Sequence, residues 1–128
     1  MHIAKENVDV KLQIPGATAR LQTDFGDVAG YGRISAEYFS LAAGVDTTPI
    51  FVGLQGNACQ CPHWGYVLNG RITTTNEAGE RETVKTGDLF YWPPGHNVAV
   101  EEDADFVMFS PQHEHLHVID HMKAKVGA

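Results

Sequence analysis

Two thiols and an imidazole stand within five residues of one another, as Cys59, Cys61 and His63 in the stretch CQCPHWGYVLNG (59–70). Thiolate and imidazole are good ligands for zinc, iron and nickel. Alternate residues of a strand point to one face, so positions 59, 61 and 63 would converge on an ion if a single strand carried them. Pro62 interrupts that simple picture, because proline removes a ladder donor and settles at edges, bulges or bends. Free cysteine is also a small hydrophobe that packs well in cores, so Cys59 and Cys61 are either ligands or core residues. A histidine is expensive to bury without a partner, which makes His63 the stronger candidate for a ligand or pocket group.

A second histidine, His96, follows the rigid corner Pro93-Pro94-Gly95 inside GDLFYWPPGHNVAV (87–100). The corner holds it at a defined place, either as a second ligand or as a solvent-facing turn residue. Glu37, in SAEYFSL, shares a strand face with Phe39 and Leu41; facing inward it is a candidate catalytic base or oxygen ligand, facing outward it is ordinary surface. Trp64, Tyr66, Phe90, Tyr91 and Trp92 flank the two histidines, and the inward members of this set are candidates for the wall of an apolar ligand pocket or for core. His113, His117 and His121 would stack on one face of a helix, a spacing able to capture divalent metal, although a solvated polar face accounts for them without function.

The elements that must position these groups are mostly strands. VKLQI (10–14), RISAEYFSL (33–41), IFVGL (50–54), YVLNGRITTT (66–75), ETVK (82–85), DLFYW (88–92), NVAV (97–100) and DFVMFS (105–110) alternate with turn signals, the pattern of an antiparallel sandwich or barrel. NEAGE (76–80) predicts a hairpin connection with Gly79 at positive φ, and EEDAD (101–105) a solvated loop tip. LQTDFGDVAGYG (21–32) predicts a glycine-rich loop followed by a strand. From Ser110 onward, a Ser N-cap, Pro111 at the first helical position and Leu116, Ile119 and Met122 three apart predict a terminal helix closing one side of the barrel.

The order His63-Trp-Gly-Tyr-Val-Leu-Asn-Gly70, a hairpin, then Gly87-Asp88 and Pro93-Pro94-Gly95-His96 resembles the cupin superfamily, and HWGYVLxG with GDxFYxPPGH looks like a small single-domain subgroup of it. Against the family motifs, His63 takes the position usually held by glutamate, while Asn57 and Cys59 fall where the paired histidines of the first motif would be. Val98 takes the usual histidine position of the second motif, with His96 directly after PPG. The resemblance spans about residues 34–110 and implies an all-β double-stranded β-helix, or jelly-roll barrel, with a short C-terminal helix. It makes His63 and His96 metal-ligand candidates, with Cys59 and Cys61 completing the set around a divalent transition metal: zinc, iron, nickel or manganese. It further implies a small organic ligand, a reaction of the dioxygenase, isomerase or decarboxylase kind, and a homodimer paired through an edge such as VKLQI. The alternative is a barrel that binds or senses a small ligand without metal.

Length and composition agree with one domain over residues 1–128: an N-terminal strand and loop over 1–33, a core barrel over about 34–110 and a helix over 111–125. Hydrophobic residues make up 43% and charged residues 20%, as in an ordinary globular protein. Lys and Arg number 9 against 16 Asp and Glu, and the net charge of −7 repels nucleic acid and anionic membranes. The start of the chain lacks the charged-then-apolar order of a secretory signal, so cytoplasmic residence is expected. Two cysteines on one strand would have Cα atoms about 6.5 Å apart, near the limit for a disulfide, so free thiols are expected.

Overall fold

The computed structural model describes residues 1–26, 30 and 32–127. Among the described residues seven antiparallel strands and one α-helix follow one another as β1 (Val10–Ile14), β2 (Ala17–Gln22), β3 (Ile34–Leu41), β4 (His63–Asn76), β5 (Arg81–Lys85), β6 (Leu89–Trp92), β7 (His96–Pro111) and α1 (Gln112–Val126). Neighbours run β1-β2-β3-β7-β4-β5, with β6 also paired to β4. This is the expected all-β jelly-roll fold with a C-terminal helix. Its core is one cluster that includes Leu21, Phe39, Val67, Ile72, Trp92 and Phe106. Among the described residues no helix is long and apolar enough to cross a membrane.

Two long strands organise the barrel. β4 pairs with β6 through His63–Tyr66 and with β5 through Arg71–Thr75, while β7 runs along its other edge. The register of β4 against β7 slips repeatedly between Val67 and Ile72, as expected where extra residues bulge a strand and sharpen its twist. Gly70 sits in that bulge at φ 97, where a Cβ would lie 2.3 Å from the Asp103 carbonyl oxygen. Asn69-Gly70 therefore bends a strand rather than ending it.

Several local expectations change. EEDAD lies inside β7, because each carboxylate is tied to a neighbouring segment. Glu101 and Glu102 pair with Arg71, Asp103 accepts the Ala43 N–H, and Asp105 accepts the Ser40 hydroxyl. IFVGL forms turns bonded back to Thr47 and Phe51 rather than a strand; its apolar character serves a second small cluster of Phe51, Cys59, Cys61 and Val118. ATARLQ forms a strand, β2, whose alternating burial matches its alternating composition. The stretch from Leu21 to Gly32 lies partly outside the described residues. NEAGE is a hairpin turn, with Gly79 at φ 83 and the Asn76 side chain accepting the N–H groups of Ala78 and Glu80.

The helix begins one residue later than the Ser-Pro signal suggests. Pro111 occupies the cap position with Gln112 first in the helix, and Ser110, the last residue but one of β7, is fully buried. The buried helix face carries Gln112, His115, Val118 and Ile119, and Gly127 closes the other end in the left-handed region, donating to the Lys123 carbonyl. His113 and His117 are exposed, while the His121 ring lies beside the carbonyls of Ile50 and Val52.

Candidate metal centre

Three backbone features bring the site together. Gly95 and His96 both donate to the Cys59 carbonyl, and Cys59 donates back to His96, so these two residues face each other as a cross-strand pair. Pro62 ends the preceding irregular segment, and β4 starts at His63, opposite Trp92 of β6. Strand β3 lies alongside β7 and brings Glu37 beside them from the inner face.

Cys59, His63 and His96 are all buried, and their potential ligand atoms lie within 4.8 Å of one another. The Cys59 Sγ is 3.5 Å from His63 Nε2. Hydrogen bonds set the tautomers of both imidazoles. His96 Nδ1–H donates to the Pro93 carbonyl at 2.7 Å. Ser110 Oγ donates to Glu37 Oε1 at 2.8 Å and therefore accepts from His63 Nδ1–H at 2.6 Å, since a hydroxyl has one proton to give. Both rings are left with an unprotonated Nε2, that of His63 facing the Cys59 thiol, the arrangement usual for ligating histidines.

Burial and neighbouring imidazoles keep these rings neutral. Burial, then His115 and His96, holds His63 well below the usual histidine range. Burial and His115 also lower His96, against an opposing contribution from its bond to Pro93. The Cys59 thiol is pushed up to about 12, chiefly by burial. It is a thiol until something takes its proton.

A second buried group, Glu37, His63 and His115, stands behind the first. Glu37 faces inward but accepts three hydrogen bonds, from Ser35, Ser110 and His115, and it does not line the cavity beside His63 and His96. A base that touches substrate needs a free oxygen at the cavity wall, so its geometry is that of an anchor for His63 and His115. His115, on the helix at 2.5 Å from Glu37, was absent from the sequence-based candidates. Its signal is the helical spacing to Val118, Ile119 and Met122, which puts it on the buried stripe.

The other candidates separate cleanly. Cys61 is buried and free, as is Cys59, but its sulfur rests near the carbonyls of Pro62 and Pro111, away from the paired histidines. Burial, then Cys59, Glu37 and Glu114, raises its thiol above the ordinary range. Trp92 is 2% exposed and lines the cavity. Trp64, Tyr66 and Tyr91 are instead exposed on the outer sheet face. The reason is phase: with His63 pointing inward, Trp64 and Tyr66 alternate outward, and Tyr91 is the cross-strand partner of Trp64.

The cavity itself measures about 180 Å³. Leu12, Phe39, Val98 and Met108 wall it, Met122 of the helix covers it, and His63, His96, His115 and Cys59 form its polar end.

The model of the cupin domain family matches residues 60–112, a segment that begins just after Cys59 and runs through β7. The fold is likewise that of solved cupins. A cupin domain match over 60–112 thus sits within a chain whose fold is that of solved cupins. An RmlC-like cupin from Shewanella frigidimarina is 16% identical with a TM-score of 0.60, over 89% of this chain and 93% of that one. The polyketide cyclase RemF from Streptomyces resistomycificus is 22% identical with a TM-score of 0.58, over 87% and 78%. Oxalate decarboxylase from Bacillus subtilis is 22% identical with a TM-score of 0.57; the match covers 85% of this chain but only 28% of that enzyme. At these identities the likeness is one of fold. No curated protein matches the chain in sequence.

Proposed function

We propose that this chain holds one divalent transition ion on Cys59, His63 and His96 and binds a small organic molecule in the adjoining cavity. The observation that carries the proposal is the buried trio itself, with donor atoms within 4.8 Å of one another and both imidazoles oriented through Nδ1. Three protein ligands with room for a fourth is the composition of catalytic rather than structural zinc sites. One thiolate and two imidazoles suit zinc, iron or nickel better than manganese, which prefers oxygen. A bound ion supplies Lewis acidity at the polar end of the cavity. Cys59 must surrender its proton to bind it, His63 and His96 are already neutral, and Glu37 with Ser110 keeps His63 in the ligating tautomer.

The test is reconstitution of untagged protein with each metal, followed by elemental analysis. About one ion per chain is expected, with affinity falling roughly 10-fold or more in His63→Ala and in His96→Ala. Metal below a tenth of an ion per chain after reconstitution ends the proposal.

A metal-free ligand-binding barrel is the second reading. It is favoured by the 3.5 Å contact between Cys59 and His63, which pairs the thiol with the imidazole without an ion. A thermal-shift series separates the two, since a ligand stabilises in proportion to its occupancy. Stabilisation by metals supports the first; stabilisation only by small organic compounds supports the second.

We also propose a homodimer, paired through the outer face of β4, β6 and β7. Trp64, Tyr66, Leu68, Leu89, Tyr91 and Phe109 are all exposed there, Leu89 at 82%. Register places Trp64 beside both Tyr91 and Phe109, and Tyr66 beside Leu89. A contiguous aromatic patch on a strongly acidic protein suits a second copy of the same uncharged surface around a two-fold axis.

A further inference from the structure

We infer that His115 of helix α1 is a positioning residue of the metal centre: acting through Glu37 and Ser110, it fixes which ring nitrogen of His63 carries the proton. The consequence for an ion rests on the centre proposed above, whereas the tautomer of His63 is a property of the metal-free protein.

Four groups from four elements form one hydrogen-bonded chain. His115 Nδ1–H donates to Glu37 Oε2 at 2.5 Å, Ser110 Oγ–H donates to Glu37 Oε1 at 2.8 Å, and His63 Nδ1–H donates to Ser110 Oγ at 2.6 Å. His115 stands on α1, Glu37 on β3, Ser110 on β7 and His63 on β4. All four are buried, so a partner lost from the chain is not replaced by bulk water. Of the three donors on Glu37 only His115 offers a nitrogen; the others are the hydroxyls of Ser35 and Ser110. A hydroxyl proton rotates to suit its surroundings, whereas the N–H of a packed imidazole has one direction. His115 is packed: its ring stacks on Phe39 at 5.8 Å and meets the His63 ring at 4.4 Å.

The direction of this chain decides what an ion meets. Ser110 has one proton and two neighbours able to accept it, Glu37 Oε1 and His63 Nδ1. While His115 holds the carboxylate, that proton goes to Glu37, and His63 keeps its own on Nδ1 with the lone pair on Nε2. With the hold removed, the carboxylate is free to turn, Ser110 swings its proton to His63 Nδ1, and the ring carries its proton on Nε2, the nitrogen that faces Cys59. A proton there occupies the position the ion needs. The other polar ties of the helix lie away from this chain: Gln112 is bonded to Asp24, and His121 Nε2 lies beside the carbonyls of Ile50 and Val52. They keep α1 in place when the His115 imidazole is changed.

The experiment compares His115→Asn, whose amide N–H stands near the place of Nδ1–H, with His115→Leu, which has nearly the shape of asparagine and no donor. Nitrogen-15 labelling reports the tautomer of each of the seven histidines, and His63 is assigned by its absence from His63→Gln. In metal-free protein the parent and His115→Asn are expected to carry the His63 proton on Nδ1, and His115→Leu chiefly on Nε2. Zinc, measured by competition with a chromophoric chelator, should bind His115→Leu about tenfold more weakly than the parent, and His115→Asn within about threefold of it. In a Ser110→Ala background the change to leucine should cost less than about twofold, because the connection is already cut. The inference is overturned if the parent carries the His63 proton on Nε2, if the tautomer is the same in His115→Leu as in His115→Asn, or if zinc affinity does not follow the tautomer. A full tenfold loss on adding His115→Leu to Ser110→Ala also overturns it, since His115 would then act without Glu37 and Ser110. If His115→Leu does not fold, His115→Phe takes its place, keeping a ring against Phe39 and lacking the donor. If zinc binds none of these proteins, the metal centre falls and the tautomers alone decide the inference; if zinc loads fully and the tautomers do not differ, the inference falls and the centre stands.

Discussion

At the scale of single residues, the chemistry of the site depends on buried groups that constrain one another's protons. Glu37 takes three donors, Ser110 passes one proton to it and receives another from His63, and Pro93 fixes His96. Neutral buried imidazoles make the metal-free protein sensitive to acid. An unfolded histidine titrates near pH 6.5; His63 and His96 have folded values held below that by burial. Below about pH 6.5 the unfolded chain therefore binds protons that the native chain refuses. The stability these groups contribute is complete above that pH and is lost as pH falls toward their folded values, at up to about 1.4 kcal/mol per pH unit for each. Urea unfolding of metal-free protein between pH 8 and pH 5 should show the midpoint falling below neutrality, with a shallower fall in His96→Asn. A midpoint equally pH-dependent in both proteins would assign the effect to other groups.

At the scale of elements, the bulge in β4 and the helix α1 determine which side chains reach the interior. Gly70 lets β4 bend where it crosses Asp103 and Ala104 of β7, and both its positive φ and the 2.3 Å approach forbid a Cβ. Gly79, in the hairpin, has a positive φ but open space around it. Gly70→Ala should cost roughly 2 kcal/mol or more and Gly79→Ala about 1 kcal/mol, because only the former adds overlap with a backbone that cannot yield to backbone strain. Chemical denaturation of the two variants measures the difference; equal costs would mean that β4 reshapes freely at the bulge. The helix covers the cavity with His115, Val118 and Met122, while His113 and His117 lie on its solvent side. The expected stripe of Leu116, Ile119 and Met122 overlaps the buried one, so helical periodicity alone narrowed the buried face without resolving it.

At the scale of the whole molecule, the outer aromatic face is the surface most in need of a partner. Sedimentation should give a species of twice the 14.0 kDa chain mass for the parent protein and a monomer for the double variant Trp64→Glu, Tyr91→Glu, with metal content the same in both. A monomeric parent protein at every accessible concentration would end the dimer proposal. The sequence by itself determined the architecture and singled out His63 and His96 as candidates, because strand alternation, the PPG corner and the spacing of His63 from Gly70 are local patterns with local causes. The phase of β4 corrects part of the pocket: with His63 pointing inward, Trp64 and Tyr66 point out and leave only Trp92 of the aromatic candidates at the cavity. Only the tertiary structure decided that Cys59 joins the two histidines while Cys61 does not, and that Glu37 is occupied by Ser35, Ser110 and His115. It alone also brought His115 against Glu37 and into the cavity lining. Those contacts join residues as far apart as 37 and 115, and no local preference encodes a distance across the chain; it is set by how the strands close and where the helix comes to rest.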